Sequence, residues 1–123
     1  MFRWKADQTY AWTHHAHDKM RYYRLSEARV KRIIRHPARI EEGIVEGAIA
    51  CMQPNASVMG KIGLPMIATD KQKKNYSEIW VMYAIKQKQI VVITAWRYPG
   101  KSPERDPVPQ NVLGEVRNIL AGI

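Results

Sequence analysis

Two runs, residues 78–85 and 90–98, are apolar on both alternating faces, and only Lys86, Gln87, Lys88 and Gln89 separate them. A strand that is apolar on both sides is at odds with a solvated surface, so the pair is expected as a hairpin at the centre of a sheet. The chain has 123 residues, enough for one core of ordinary size. The rest of the chain is therefore expected to fold around that hairpin as a single domain, 1–123.

Helical patterns precede the hairpin. Thr13 predicts an N-cap for a helix from His14 to about Tyr23, with Ala16, Met20 and Tyr23 on one face and His14, His17, Asp18 and Arg21 on the other. Ser26 predicts a second N-cap, Glu27 meets the positive end of that helix, and Pro37 closes it. Val30, Ile33 and Ile34 form its apolar stripe. Ile40 to Met52 mixes β-branched and small apolar residues with Gly43 and Gly47 and reads as one twisted or bulged strand, with Glu41, Glu42 and Glu46 at a solvent edge. Residues 53–76 read as a loop with one short strand near 58–67, and the aromatic-rich residues 1–12 supply a first strand. After Pro99-Gly100 an extended Pro-rich connection leads to Val112, Leu113, Val116, Ile119 and Leu120, the apolar face of a short C-terminal helix. Trp4, Trp12, Trp80 and Trp96 are expected to pack in the interior. The predicted class is α+β: two N-terminal helices packed on an antiparallel sheet, with a short C-terminal helix.

Charge narrows the kind of partner. Lys and Arg number 20 against 11 Asp and Glu, a formal charge of +9. In residues 19–39, Lys19, Arg21, Arg24, Arg29, Lys31, Arg32, Arg35 and Arg39 face one acid, Glu27, so most of the excess falls on about two helices. A concentrated field of this kind draws phosphate, which makes RNA or DNA the expected partner; the plain alternative is a solvated helix face. Arg21, Arg24, Arg29, Lys31, Arg32, Arg35 and Arg39 are the predicted contacts. Cys51 is the lone cysteine, which leaves no internal disulfide and suits a reducing cytoplasm. No leader peptide or membrane span is expected from the apolar patterning.

Candidate chemistry is confined to a few side chains. His15 and Lys19 lie one turn apart at the border of the apolar face, where an acid–base pair is possible in principle. Arg97 ends the most apolar strand between Trp96 and Tyr98, on the face that simple alternation assigns to Val91, Ile93 and Ala95. It could hold a phosphate while Tyr98 stacks or donates a proton. His14, His17 and Asp18 share a helix face but have no further converging ligand, so no metal is assigned and no cofactor is expected. The chain has no Gly-rich phosphate loop and no serine elbow, which argues against nucleotide hydrolysis.

The stretch His15-Ala16-His17-Asp18-Lys19-Met20, followed by Leu25-Ser26-Glu27 and the Val30 to Pro37 helix, resembles a family of small bacterial domains distantly similar in fold to the BrnT and RelE ribonuclease toxins. Ile93-Thr94 fits the later strand of that pattern. Lys19 stands where arginine is usual, Tyr23-Arg24 replaces Arg-Gly, and the loop from Pro54 to Tyr76 is enlarged. The resemblance implies a RelE/BrnT-like α+β fold, metal-independent cleavage of RNA, and an acidic antitoxin-like partner; it carries no catalytic residues with it. Residue types and resemblance together suggest His15 as base, Lys19 and Arg97 as cations and Tyr98 as acid. The alternative is a module that binds nucleic acid or a protein partner without reaction.

Overall fold

The computed structural model describes residues 9–54 and 76–122. Its elements in chain order are β1 (Tyr10–Trp12), α1 (His14–Tyr23), α2 (Glu27–Arg35), β2 (Arg39–Glu42), β3 (Ile49–Pro54), β4 (Ser77–Lys86), β5 (Gln89–Pro99) and α3 (Gln110–Ala121). The five strands form one sheet in the order β1-β5-β4-β3-β2. The class is α+β, but the sheet is mixed rather than antiparallel, because β1 runs parallel to β5. A parallel pair needs a long crossover, and residues 13–88, with both N-terminal helices and three strands, lie between these two strands. Trp4 and the short strand expected near 58–67 fall outside the described residues.

Both helical caps form as their residues dictate. The Thr13 hydroxyl accepts the Ala16 amide at 3.0 Å and donates to the Ile93 carbonyl at 2.8 Å, so it starts α1 and ties that start to β5. Arg24 ends α1 in the left-handed region (φ 56°), and the Leu25 amide bonds back to the Met20 carbonyl at 2.7 Å. The Ser26 hydroxyl then accepts the Arg29 amide at 3.0 Å and opens α2. Only three residues separate the two helices.

β4 and β5 are buried on both faces, so each face needs its own cover. On one, Ala16, Met20, Val30, Ile33 and Ile34 pack on Cys51, Ile79, Val81, Tyr83, Ile90, Val92 and Ala95. On the other, Val108, Val112 and Val116 pack on Ala50, Met52, Trp80, Met82, Ala84, Ile93 and Trp96. The C-terminal helix, expected to be short, has 12 residues and is the longest of the described helices. Trp80 and Trp96 are register partners stacked at 5.8 Å, and the Trp96 indole N–H donates to the Pro107 carbonyl. Trp12 is only half-buried and stacks on His17 at 5.7 Å.

Two strand expectations are corrected. The single strand expected over 40–52 is a hairpin, because Gly43 and Gly47 take φ values of +80° and +83° and turn the chain between β2 and β3. In β5 the pairing slips by one residue, from Tyr83↔Val92 to Met82↔Thr94, so Ile93 is an extra residue. Such a bulge shifts the alternation beyond it. Arg97 therefore lies on the face of Ala95, Val92 and Ile90, not that of Val91 and Ile93, and it pairs in register with Ile79.

Glu41, expected at a solvent edge, is also corrected: it is nine-tenths buried. Its carboxylate accepts the Arg105 amide at 2.8 Å and Arg39 Nη2 at 3.0 Å. Glu78 is fully buried and accepts the Trp80 indole N–H at 3.0 Å, the Ser102 amide at 3.2 Å and the Ser102 hydroxyl at 2.5 Å. Arg39 completes the network, donating Nη1 to the Ser102 hydroxyl and carbonyl at 2.9 and 3.0 Å and standing 3.7 Å from Glu78. Buried carboxylates persist only where charge and donors compensate them. Arg39→Ala is accordingly expected to cost about 2–4 kcal/mol in urea unfolding, since it leaves Glu41 and Glu78 short of their cation. The Arg105 amide first, and Arg39 after it, hold the Glu41 carboxyl below its ordinary value despite burial. The depressed value means that this stabilisation is present above the unfolded-state value and is lost as pH falls through the folded one. The acid limb of a stability–pH curve should flatten in Glu41→Gln.

Candidate anion-binding site

The corner between α1 and α2 opens onto a cleft of about 370 Å³. Arg24 reaches it from the left-handed cap of α1, Arg29 and Arg32 from one flank of α2, and Arg97 from β5. Arg29 and Arg32 are three residues apart and so share a helix flank. Arg97 joins them because the bulge at Ile93 turns it toward the face that α2 covers. Tyr23, Leu25 and Ile79 supply apolar wall, and the lining contains no carboxylate among the described residues.

These cations are not neutralised from within. Among the described residues no acid forms an ion pair with Arg24, Arg29, Arg32 or Arg97. Arg29 is half-buried, and its Nε has neither solvent access nor a hydrogen-bond partner. Burial, and secondarily the charge of Arg32, hold its guanidinium below the ordinary arginine value. A desolvated donor among like charges is destabilising until an anion meets it.

The other predicted nucleic-acid contacts divide. Lys31 and Arg35 project from the opposite flank of α2, over the Tyr10 ring at 5.0 and 5.9 Å. Arg21 is exposed beside Asp18 at 3.8 Å. Arg39 is taken out of the predicted interface: its guanidinium is held by Ser102, Glu41 and Pro103 and lies over the Trp80 ring at 5.1 Å.

The four predicted catalytic residues do not converge. His15 and Lys19 do meet, through an acid that sequence reasoning missed: His15 Nε2 and Lys19 Nζ lie 3.1 and 4.0 Å from the same Glu115 oxygen on α3. No periodicity could have paired α3 with α1, since that contact depends on the tertiary fold. Arg97 and Tyr98 lie on opposite faces of the sheet, with register partners Ile79 and Glu78, and Tyr98 packs toward the second core. His14 is exposed, and His17 pairs with Glu27 at 3.3 Å. Cys51 is buried, and burial pushes its thiol up to about 12, far from a nucleophilic thiolate at neutral pH.

The arrangement can bind an oxyanion through guanidinium forks. Pyrophosphate is therefore expected to raise the melting temperature of the wild-type chain above a control of matched ionic strength. At a hundred times Kd the gain is about 2.7 kcal/mol, and Arg29→Ala or Arg97→Ala should remove it while Lys31→Ala keeps it. In comparisons with known proteins, no family model, curated protein or solved structure matches the chain.

Proposed function

We propose that this is a nucleic-acid-binding domain that grips phosphate through Arg24, Arg29, Arg32 and Arg97. The observation that carries the reading is that four arginines line one cleft, with no carboxylate among its described lining residues. Each planar fork can pair with two phosphate oxygens. Lys31 and Arg35 on the other flank of α2, with Arg21 on α1, extend the positive surface along which a polyanion is drawn in. A cytoplasmic setting, where RNA and DNA are met, goes with this reading. No helix among the described residues is long and apolar enough to cross a membrane.

Metal-independent cleavage of RNA, the activity suggested by the toxin resemblance, has one observation in its favour. His15 has a carboxylate, Glu115, against its Nε2, the kind of contact that orients an imidazole. Against it stands the divergence of Arg97 from Tyr98. His15 is also eight residues from Tyr23, where α1 meets the cleft, a rise of about 12 Å along the helix. Binding without cleavage is the reading preferred.

The test is fluorescence anisotropy with short single-stranded RNA over a salt series, paired with a gel of the same RNA incubated with protein and EDTA. Affinity should fall linearly on a log–log plot of salt. Arg29→Ala and Arg97→Ala should each weaken binding and reduce the slope by about one per lost phosphate contact. The RNA should stay full-length and migrate as a retarded band. Shortened RNA in the presence of EDTA, abolished by His15→Ala, would restore the ribonuclease reading. An RNA that neither shifts nor shortens, with an acidic protein bound instead, would replace both by a protein partner.

A further inference from the structure

We infer that the arginine cleft takes the phosphorylated end of a strand, a terminal phosphomonoester, in preference to the diester phosphates inside one. The inference rests on the nucleic-acid reading above and specifies which phosphate that site selects.

Charge gives the first reason. One diester carries a single negative charge, whereas a monoester carries about −1.5 to −2 at neutral pH and offers three terminal oxygens. Four arginines with no carboxylate among the described lining residues are better matched by the monoester.

Shape gives the second. The α1–α2 corner, the flank of α2 and the sheet at Ile79 and Arg97 wall the cleft, and its 370 Å³ is near the small end of ligand sites. A diester phosphate carries a sugar on two of its four oxygens, so a chain must pass through any site that holds it. A monoester carries one substituent and can enter phosphate-first.

The state of Arg29 gives the third. It is half-buried, it lines the cleft beside Arg32, and no acid among the described residues pairs with it, so a doubly charged group compensates it better than a single charge. Tyr22, 77% exposed, stands edge-on at 4.8 Å to Tyr23, which lines the cleft, and so offers an aromatic surface to a terminal base.

The experiment is competition anisotropy with one oligoribonucleotide in three forms: 5′-phosphorylated, 3′-phosphorylated, and hydroxyl at both ends. One phosphorylated form is expected to bind about tenfold tighter than the hydroxyl form or better, the ratio expected of one additional charge-assisted hydrogen bond. The form that wins identifies which end is taken. Arg29→Gln and Arg97→Gln should each erase that ratio, with a retained melting transition establishing that the variant is folded, while Lys86→Ala, at the exposed tip of the β4–β5 hairpin, should preserve it. If all three forms bind equally and with the same salt slope, the end preference is overturned and the nucleic-acid reading stands. If the ratio survives in both arginine variants, the cleft is not where the end binds and the inference is overturned. If no form binds, the nucleic-acid reading fails and takes this inference with it.

Discussion

Everything in the fold follows from a pair of strands that can face water on neither side. β4 and β5 place Trp80, Met82, Ile93 and Trp96 on one face and Ile79, Val81, Val92 and Ala95 on the other. Burying apolar area is the main favourable term in folding, at roughly 25 cal/mol per Å², so both faces have to be covered. The helices are divided accordingly. α2 lies over β3 and β4 on one side, α3 closes the other, and α1 follows β5 beyond the end of the three-residue β1. The extra residue at Ile93 then decides which layer receives the side chains at the end of β5, and so puts Arg97 beside α2.

The acids of the described chain are placed with the same economy. Glu41 and Glu78 serve Arg39, Glu115 serves His15 and Lys19, Glu27 serves His17, and Asp18 stands by Arg21. Two arginines of one sequence stretch thus have opposite roles. Arg39 is held from several directions and fastens the segment after β5 to β2, whereas Arg29 is half-buried with a donor unmet. An internally compensated cation contributes to structure; an uncompensated one is available to a ligand.

Local chemistry was readable where one residue decides the outcome. Thr13 and Ser26 cap the helices they were expected to cap, because a hydroxyl before an amphipathic run has few other uses there. Val30, Ile33 and Ile34 are the buried stripe of α2, and the hairpin of β4 and β5 follows from apolar runs that leave no exposed face. The turn within it has no glycine, although Gln87 and Lys88 both take positive φ, so only its polarity marked it. What sequence hid is non-local. Gly43 and Gly47 fit a bulged strand as well as a reversal, and only the antiparallel pairing of β2 with β3 distinguishes them. The slip at Ile93 leaves no mark in composition, yet it reverses the side assigned to Arg97. Glu78, inside an apolar run, gave no sign that Arg39 and Ser102 would meet it. Of the cleft, Arg24, Arg29 and Arg32 were expected as nucleic-acid contacts and Arg97 as a cation for phosphate, but nothing in the sequence indicated that the four line one cleft.

The doubly used hydroxyl of Thr13 has a consequence for how the cleft works. By capping α1 and bonding the Ile93 carbonyl it fixes the helix to the strand that also carries Arg97, and the three-residue link to α2 passes that constraint on to Arg29 and Arg32. The start of α1 is thereby tied to the strand that carries Arg97, and α2 follows α1 after three residues. For the phosphate binding proposed above, a tie of this kind leaves less conformational entropy to surrender, so more of each contact would be expressed as affinity.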